Sequence, residues 1–173
     1  EARYEIVRGW AGRPEYGNSL LARAPLAPEP GDRLELGLNR SAVRARVTLH
    51  DGARLVFAVT HLHHVVGDAA ERFEQARQLT AWLDESPAHD ALIVVGDFNA
   101  APHEPTYAHM TAAGYRSACA AANGFEPPVT WPSGLQAPAM DTAGDPACLD
   151  YIWLRGAVDV RAARLAWDRP AVG

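Results

Sequence analysis

Several things are scarce in this sequence, and each scarcity closes a class of explanation. No apolar run approaches the roughly 20 residues that cross a bilayer as a helix, and no charged segment leading into an apolar stretch opens the chain. The chain therefore reads as soluble, with no membrane span, and either a cytoplasmic or a secreted location is compatible with it. Basic residues are in the minority, 16 Lys plus Arg against 21 Asp plus Glu, for a formal net charge of -5. That balance argues against a surface that holds duplex nucleic acid mainly by neutralising phosphates, although a local basic groove remains compatible with it. Cysteine is limited to Cys119 and Cys148, with no C-x-x-C or Cys/His spacing, so a structural zinc site is not expected; the pair reads as two buried thiols or one disulfide, with thiols favoured because two cysteines alone do not make a disulfide scaffold. Internal repeats and low-complexity tracts are missing as well.

What is present is a 48% apolar chain of 173 residues, enough for one domain with a core of its own. From Glu1 to Gly67 the apolar residues come in short runs or alternation, a strand pattern. Val43, Ala45, Val47 and Leu49 alternate with Arg44, Arg46, Thr48 and His50, which predicts a strand with one wet face. Asp51-Gly52 then predicts a tight turn, and Leu55 to Thr60 the returning strand of a hairpin. Between Asp68 and Leu83, Ala69, Phe73, Ala76, Leu79 and Leu83 recur at helical spacing, with Asp68 and Glu71 placed as a capping pair. Ala91 to Val95 is a continuous apolar run, expected as a strand buried on both faces. Glu104 to Ala113 predicts a short helix with Pro105 in its first turn and Gly114 at its end. A Pro/Gly/Ala-rich loop over 120–147 and two strands, Leu149 to Leu154 and Val158 to Leu165, complete the expectation.

Four short segments carry polar groups at predicted strand ends, where active sites tend to sit. Gly96-Asp97-Phe98-Asn99 sets a carboxylate and a carboxamide two residues apart, suited to orienting water and holding a phosphate oxygen. Alone, the tetrapeptide is equally a capped turn. His61 closes Thr60-His61-Leu62 and Asp150 opens Leu149-Asp150-Tyr151-Ile152; singly each reads as a strand-edge residue. His61-Leu62-His63-His64 also resembles the start of the metallo-β-lactamase zinc motif, but Val65 and Val66 stand where its Asp-His pair would follow. Asn18, in Gly17-Asn18-Ser19-Leu20-Leu21-Ala22-Arg23, reads alone as part of a turn entering a strand.

Taken in order, the segments around Asn18, His61, Asp97 with Asn99, and Asp150 resemble the endonuclease/exonuclease/phosphatase, or deoxyribonuclease-I-like, superfamily. Arg72, Gln75 and Thr130 look like that family too, and the resemblance runs from about Tyr16 to Arg155. It implies an α+β fold, a four-layer α/β/β/α sandwich whose sheets are mostly antiparallel. It further implies a metal-dependent hydrolase of phosphoester bonds. In such an enzyme Asp97 would position or activate water and serve as a metal ligand, Asn99 would hold a phosphate oxygen, and His61 would assist at the phosphate. Asp150 would orient a second histidine, and Asn18 would line the substrate cleft. The expected ion is Mg2+ or Mn2+, because a hard, oxygen-rich site suits phosphate chemistry.

Two parts of the family pattern have no counterpart in the printed residues. The metal-binding glutamate that precedes the Gly-Asn segment is one, and Glu5 is a poor substitute; the closing Ser-Asp-His is the other, since Asp168 is not followed by His. The expectation is therefore a single, truncated domain over residues 1–173, opening at Glu1 rather than Met, poorly soluble alone and a monomer when intact. The substrate classes are a phospholipid head group, a small phosphodiester or nucleic acid. Two alternatives stand beside this one: a noncatalytic remnant or interaction module of the same fold, and a zinc hydrolase of the metallo-β-lactamase type. Trp131, beside Thr130, is a ligand contact or a packed surface aromatic in any of these.

Overall fold

The computed structural model describes residues 4–10, 17–23, 26–29, 31–132 and 144–166, and for 4–10 the backbone alone. Tyr16, Asp168, the side chain of Glu5 and residues 133–143 of the long loop lie outside the described residues. A hairpin of β1 (Tyr4–Trp10) and β2 (Gly17–Arg23) forms one two-stranded antiparallel sheet. The second sheet has six strands: β3 (Asp32–Gly37), β4 (Arg40–Thr48), β5 (Arg54–His61), β6 (Ala91–Asp97), β7 (Arg116–Ser117) and β8 (Asp150–Gly156). Their spatial order is β3-β4-β5-β6-β8-β7, and only β5 and β6 run parallel. Parallel neighbours need a crossover, and helix α1 (Ala69–Asp84) supplies it. Two shorter helices, α2 (Pro105–Ala112) and α3 (Ala118–Asn123), follow β6 and β7. The α+β class and the mostly antiparallel pairing hold as expected.

The core follows from the period of each element. Ala76, Leu79 and Leu83 of α1 bury against Ala42, Val56, Ala58, Leu92 and Val94, which share one sheet face at two-residue spacing. Phe98, Tyr151, Trp153 and Tyr107 extend that cluster in edge-to-face and stacked pairs toward α2. The hairpin β1–β2 lies against β4 and β5, and Val43, Ala45 and Val47 are buried.

This corrects the expected wet face of β4. Arg44, on that face, is 9% exposed. Its guanidinium stacks 4.1 Å from the ring centroid of Trp82, pairs with both Asp32 oxygens at 2.7 and 2.8 Å, and donates to Ser86 Oγ and the Trp82 carbonyl. The sequence alternation was real, but α1 covers the side that carries the charge. Arg44→Ala should cost about 3 kcal/mol, because it leaves the Trp82 carbonyl and Ser86 Oγ without their donor, removes the stack on Trp82 and empties a buried position. Asp32→Ala should cost well under half of that, since Asp32 is mostly solvated and Arg44 keeps its other partners. Urea unfolding of both variants checks the order.

Two local expectations change. Asp68 does sit at the N-cap of α1, yet its side chain makes no cap bond; Asp68 Oδ2 instead lies 2.9 Å from His63 Nε2. Val158 to Leu165 forms no strand. The left-handed turn at Gly156 (φ +85°) ends β8, and both edges of β8 are already taken by β6 and β7. The returning segment instead lies across the β7–α3 region, where Arg116 and Asn123 donate to the carbonyls of Val158 and Ala163. Cys119 and Cys148 are free thiols, and no helix is long and apolar enough to cross a membrane.

Candidate active site

The register of three neighbouring strands builds the site. His61 is the parallel partner of Asp97, and Asp97 is the antiparallel partner of Asp150. Residues 36 and 53 positions apart in sequence thus fall in one row across the sheet edge. His61 Nε2 stands 3.7 Å from Asp97 Oδ2, too far for a direct hydrogen bond.

Behind the row, the chain leaves β6 through Asn99 in the left-handed region (φ +48°), where Asn is tolerated. Its backbone N–H donates to Asp97 Oδ1 at 2.8 Å and its Nδ2 donates to the Leu62 carbonyl at 3.0 Å. One Nδ2 hydrogen and Oδ1 are left over, so the side chain is both tied to β5 and able to bond a ligand. Asn18, on the hairpin, donates to the Ser41 carbonyl at 2.7 Å, an acceptor it shares with Thr60 Oγ1. Thr130 Oγ1 accepts from the N–H groups of Leu149 and Asp150 and so fixes the start of β8.

Burial and charge set the protonation states. The Asp97 carboxyl is pushed up to about 6, first by burial and then by the Asp150 carboxylate, against the Asn99 N–H and Arg40, which pull it down. At pH 7 it is mostly ionised, with a proton affinity close to the working range of a general base. His61 is pushed down to about 4 by burial, then by Arg40 and His64, so its imidazole is neutral at pH 7. The close approach of His61 and Asp97 is therefore not an ion pair.

His61, Asp97, Asn99 and Asn18 line one cleft of about 800 Å3, together with Arg40, His64, Glu104 and Trp131. Asp150 adjoins Asp97 but opens on a neighbouring cavity of about 650 Å3, lined by Asp97, Thr130 and Glu126 among others. Trp131 is half-buried in the cleft wall and bridges to Ala147. The His-Leu-His-His run does not converge on one point. His63 is buried against Asp68, and His64 Nδ1 faces Arg40 at 2.7 Å.

Arg72 and Gln75 serve the cleft from beneath. Arg72 is buried, pairs with Glu104 at 2.7 Å and donates to the Val65 carbonyl, while Gln75 accepts from the His63 N–H and donates to the Leu36 carbonyl. They pin the loop that follows His61. Arg40 was not singled out from the sequence, and His64 was read only as part of the His-Leu-His-His run; an arginine at the head of an alternating strand reads as solvent-facing. The available signal was Leu38-Asn39, both at positive φ in the turn that delivers Arg40.

A divalent ion needs several hard oxygen donors. Asp97 and Asp150 offer two adjacent carboxylates, but among the described residues no group of three His, Cys, Asp or Glu converges on one point. The described residues therefore do not by themselves make a metal site.

The sequence model of the endonuclease/exonuclease/phosphatase family matches residues 6–171. No match is found among curated proteins. Solved structures with the same fold include the human Nocturnin catalytic domain with bound sulfate, at 24% identity and a TM-score of 0.70, covering 87% of this chain and 60% of that one. D. rerio TDP2, complexed with a single-strand DNA product, aligns at 19% identity and 0.71, covering 88% and 62%. A mannosyl-6-phosphatase of Bacteroides thetaiotaomicron aligns at 14% and 0.65, covering 89% and 63%. The chain thus spans about three fifths of the length of each.

Proposed function

Because the chain belongs to the endonuclease/exonuclease/phosphatase family, we propose that it acts in the hydrolysis of phosphoester bonds, with Asp97 at the centre of the reaction. The observation that carries this reading is the row His61, Asp97 and Asp150 across three strands, with Asn99 fastened behind it. Asp97, ionised but readily protonated, accepts the proton of the attacking water as its oxygen bonds to phosphorus and the bond to the leaving alcohol breaks. Neutral His61 donates its ring N–H to a phosphate oxygen, and the spare Nδ2 hydrogen of Asn99 donates to another as charge builds there. Asp150 holds up the proton affinity of Asp97 from the adjacent strand, and Asn18 forms part of the cleft wall.

Mg2+ or Mn2+ is the ion we assign to the reaction on family grounds, and Asp97 the residue we assign to it. The described donors do not by themselves complete its site. A phospholipid head group, a small phosphodiester or nucleic acid are the substrate classes in view, and the fold does not choose among them. The solved neighbours illustrate this, one holding DNA product and another named for a sugar phosphate. A noncatalytic module of the same fold is the second reading, favoured by the missing third donor among the described residues.

The test is release of 4-nitrophenol from bis(4-nitrophenyl) phosphate by the intact protein. We expect turnover that chelation with EDTA abolishes, that Mg2+ or Mn2+ restores, and that Asp97→Ala lacks. Equal rates for wild type and Asp97→Ala would leave Asp97 without a catalytic role and favour the noncatalytic reading. Restoration by zinc alone would favour the zinc-hydrolase alternative.

A further inference from the structure

We propose that Arg40 and His64 form an anion subsite at the rim of the cleft, which takes a second, non-scissile phosphate of the substrate; this rests on the hydrolase reading above. The chain contains no lysine, so every fixed side-chain cation is an arginine. Where the sheet and helices bury or order an arginine, a carboxylate usually meets it: Asp32 for Arg44, Asp90 for Arg54, Glu104 for Arg72 and Asp84 for Arg155. Arg40 stands in the cleft wall with no carboxylate within 4.0 Å among the described residues. Its side-chain hydrogen bond there is to an imidazole, His64 Nδ1, at 2.7 Å.

That bond fixes the chemistry of the pair. A guanidinium has donors only and does not deprotonate in proteins, so Arg40 donates and Nδ1 accepts. With Nδ1 accepting, Nε2 is left as the ring's N–H donor. The pair therefore presents one full positive charge, the unused N–H groups of the guanidinium and one imidazole N–H, all donors, with Asp97 acting on Arg40 only from beyond contact distance among the described residues. An oxyanion with several acceptor oxygens satisfies such a set, and a guanidinium fork suits phosphate geometry.

The location separates this anion from the one under attack. Arg40 opens β4 straight after the turn in which Leu38 and Asn39 sit at φ +49° and +58°. Strong local twist of this kind aims the first residue of the returning strand. His61 reaches within 3.7 Å of Asp97, whereas no Arg40 nitrogen comes within 4.0 Å of that carboxylate. The pair thus lines the same cleft without touching the Asp97 carboxylate, and His64 is exposed. A phosphoester bearing a neighbouring phosphate would reach both positions.

Two substrates with the same scissile bond and leaving group decide it: thymidine 5′-(4-nitrophenyl phosphate) with and without a 3′-phosphate. Wild type should favour the 3′-phosphorylated form in kcat/KM by about tenfold, the modest end for charge-assisted bonds at a wet rim. Arg40→Ala and His64→Ala should each bring that ratio toward one, and Arg40→Lys should recover part of it without the fork. The ratio is the readout because Arg40 also tunes Asp97 and His61, an effect common to both substrates. His64 is exposed, so His64→Ala reports even if an Arg40 variant folds poorly.

Calorimetric binding of thymidine 3′,5′-bisphosphate against the 5′-monophosphate gives the second arm. Arg40-dependent preference without any hydrolysis would support the subsite and sink the hydrolase reading. Hydrolysis with a ratio indifferent to Arg40 and His64 would sink the subsite alone, as would a wild type with no preference.

Discussion

Asp97→Asn is expected to make the protein more stable at pH 8 while lowering phosphoester hydrolysis by at least about 100-fold, the range for loss of a general base. The stability half comes from the environment of the carboxylate. Its pKa is pushed up from 3.8 to about 6 because burial and Asp150 both disfavour the charge. A rise of that size corresponds to a penalty of about 2–3 kcal/mol carried by the ionised native state. The sign follows from proton uptake. A folded pKa above the unfolded one means that the native state binds the proton more tightly, so this contribution is fully present below pH 3.8 and is lost as the pH rises through about 6. Asparagine has no charge to lose and can still accept the Asn99 N–H that now bonds Asp97 Oδ1 at 2.8 Å. Urea unfolding of wild type and variant in EDTA should show the gap largest at pH 8 and shrinking toward zero below pH 4. A variant no more stable than wild type at pH 8, or a gap independent of pH, would mean that the carboxylate is not strained in the native fold. Gain of stability with loss of activity is the pattern of a residue kept for chemistry at the expense of the fold.

Much of what surrounds Asp97 was legible in advance, for a physical reason. Alternation marked β4, the Asp-Gly turn its returning partner β5, a continuous apolar run β6 and helical spacing α1, because burial acts on those patterns directly. Gly-Asp-Phe-Asn alone read equally as a capped turn, and it became a candidate site only in order with the segments around Asn18, His61 and Asp150. Asp150 was weak by itself, since its meaning lies in a strand pairing with a residue 53 positions away. Arg40 went unread, and His64 was read only within a zinc motif, for the same reason: the β3–β4 turn, brought beside the end of β5, places them together on the cleft. Arg44 misled, because alternation reports which side chains differ and not what will cover them. Val158, Val160 and Ala162 misled in turn: the alternation is there, but after the turn at Gly156 the segment is held by Arg116 and Asn123 through its carbonyls and joins no sheet.

Gly96→Ala is expected to be the most damaging single methyl that can be added near the site. Gly96 lies between Thr60 of β5 and Tyr151 of β8, with φ +149°, a conformation that L side chains rarely adopt. A Cβ there would fall 1.9 Å from the Thr60 carbonyl oxygen, 2.9 Å from its carbon and 3.2 Å from its nitrogen. All three are backbone atoms, so no rotamer change relieves the contact, and one of the two strands must move. The strands that would part are those whose pairing sets His61 against Asp97, so the fold and the site fail at the same point. The expected loss exceeds about 4 kcal/mol, the size reserved for strain and severe overpacking. Gly52→Ala is the control: Gly52 also has positive φ (+87°), but its Cβ would meet nothing within 4 Å, and the conformational cost alone is about 1–2 kcal/mol. Urea midpoints of the two variants therefore separate the backbone preference from the steric clash. Similar costs would show that β5 and β6 can give way at Thr60, and that the row of His61, Asp97 and Asp150 does not depend on a close approach of the two backbones. A far larger cost at Gly96 would mean that glycine in Gly-Asp-Phe-Asn is required by packing, as the condition for placing the carboxylate that follows it.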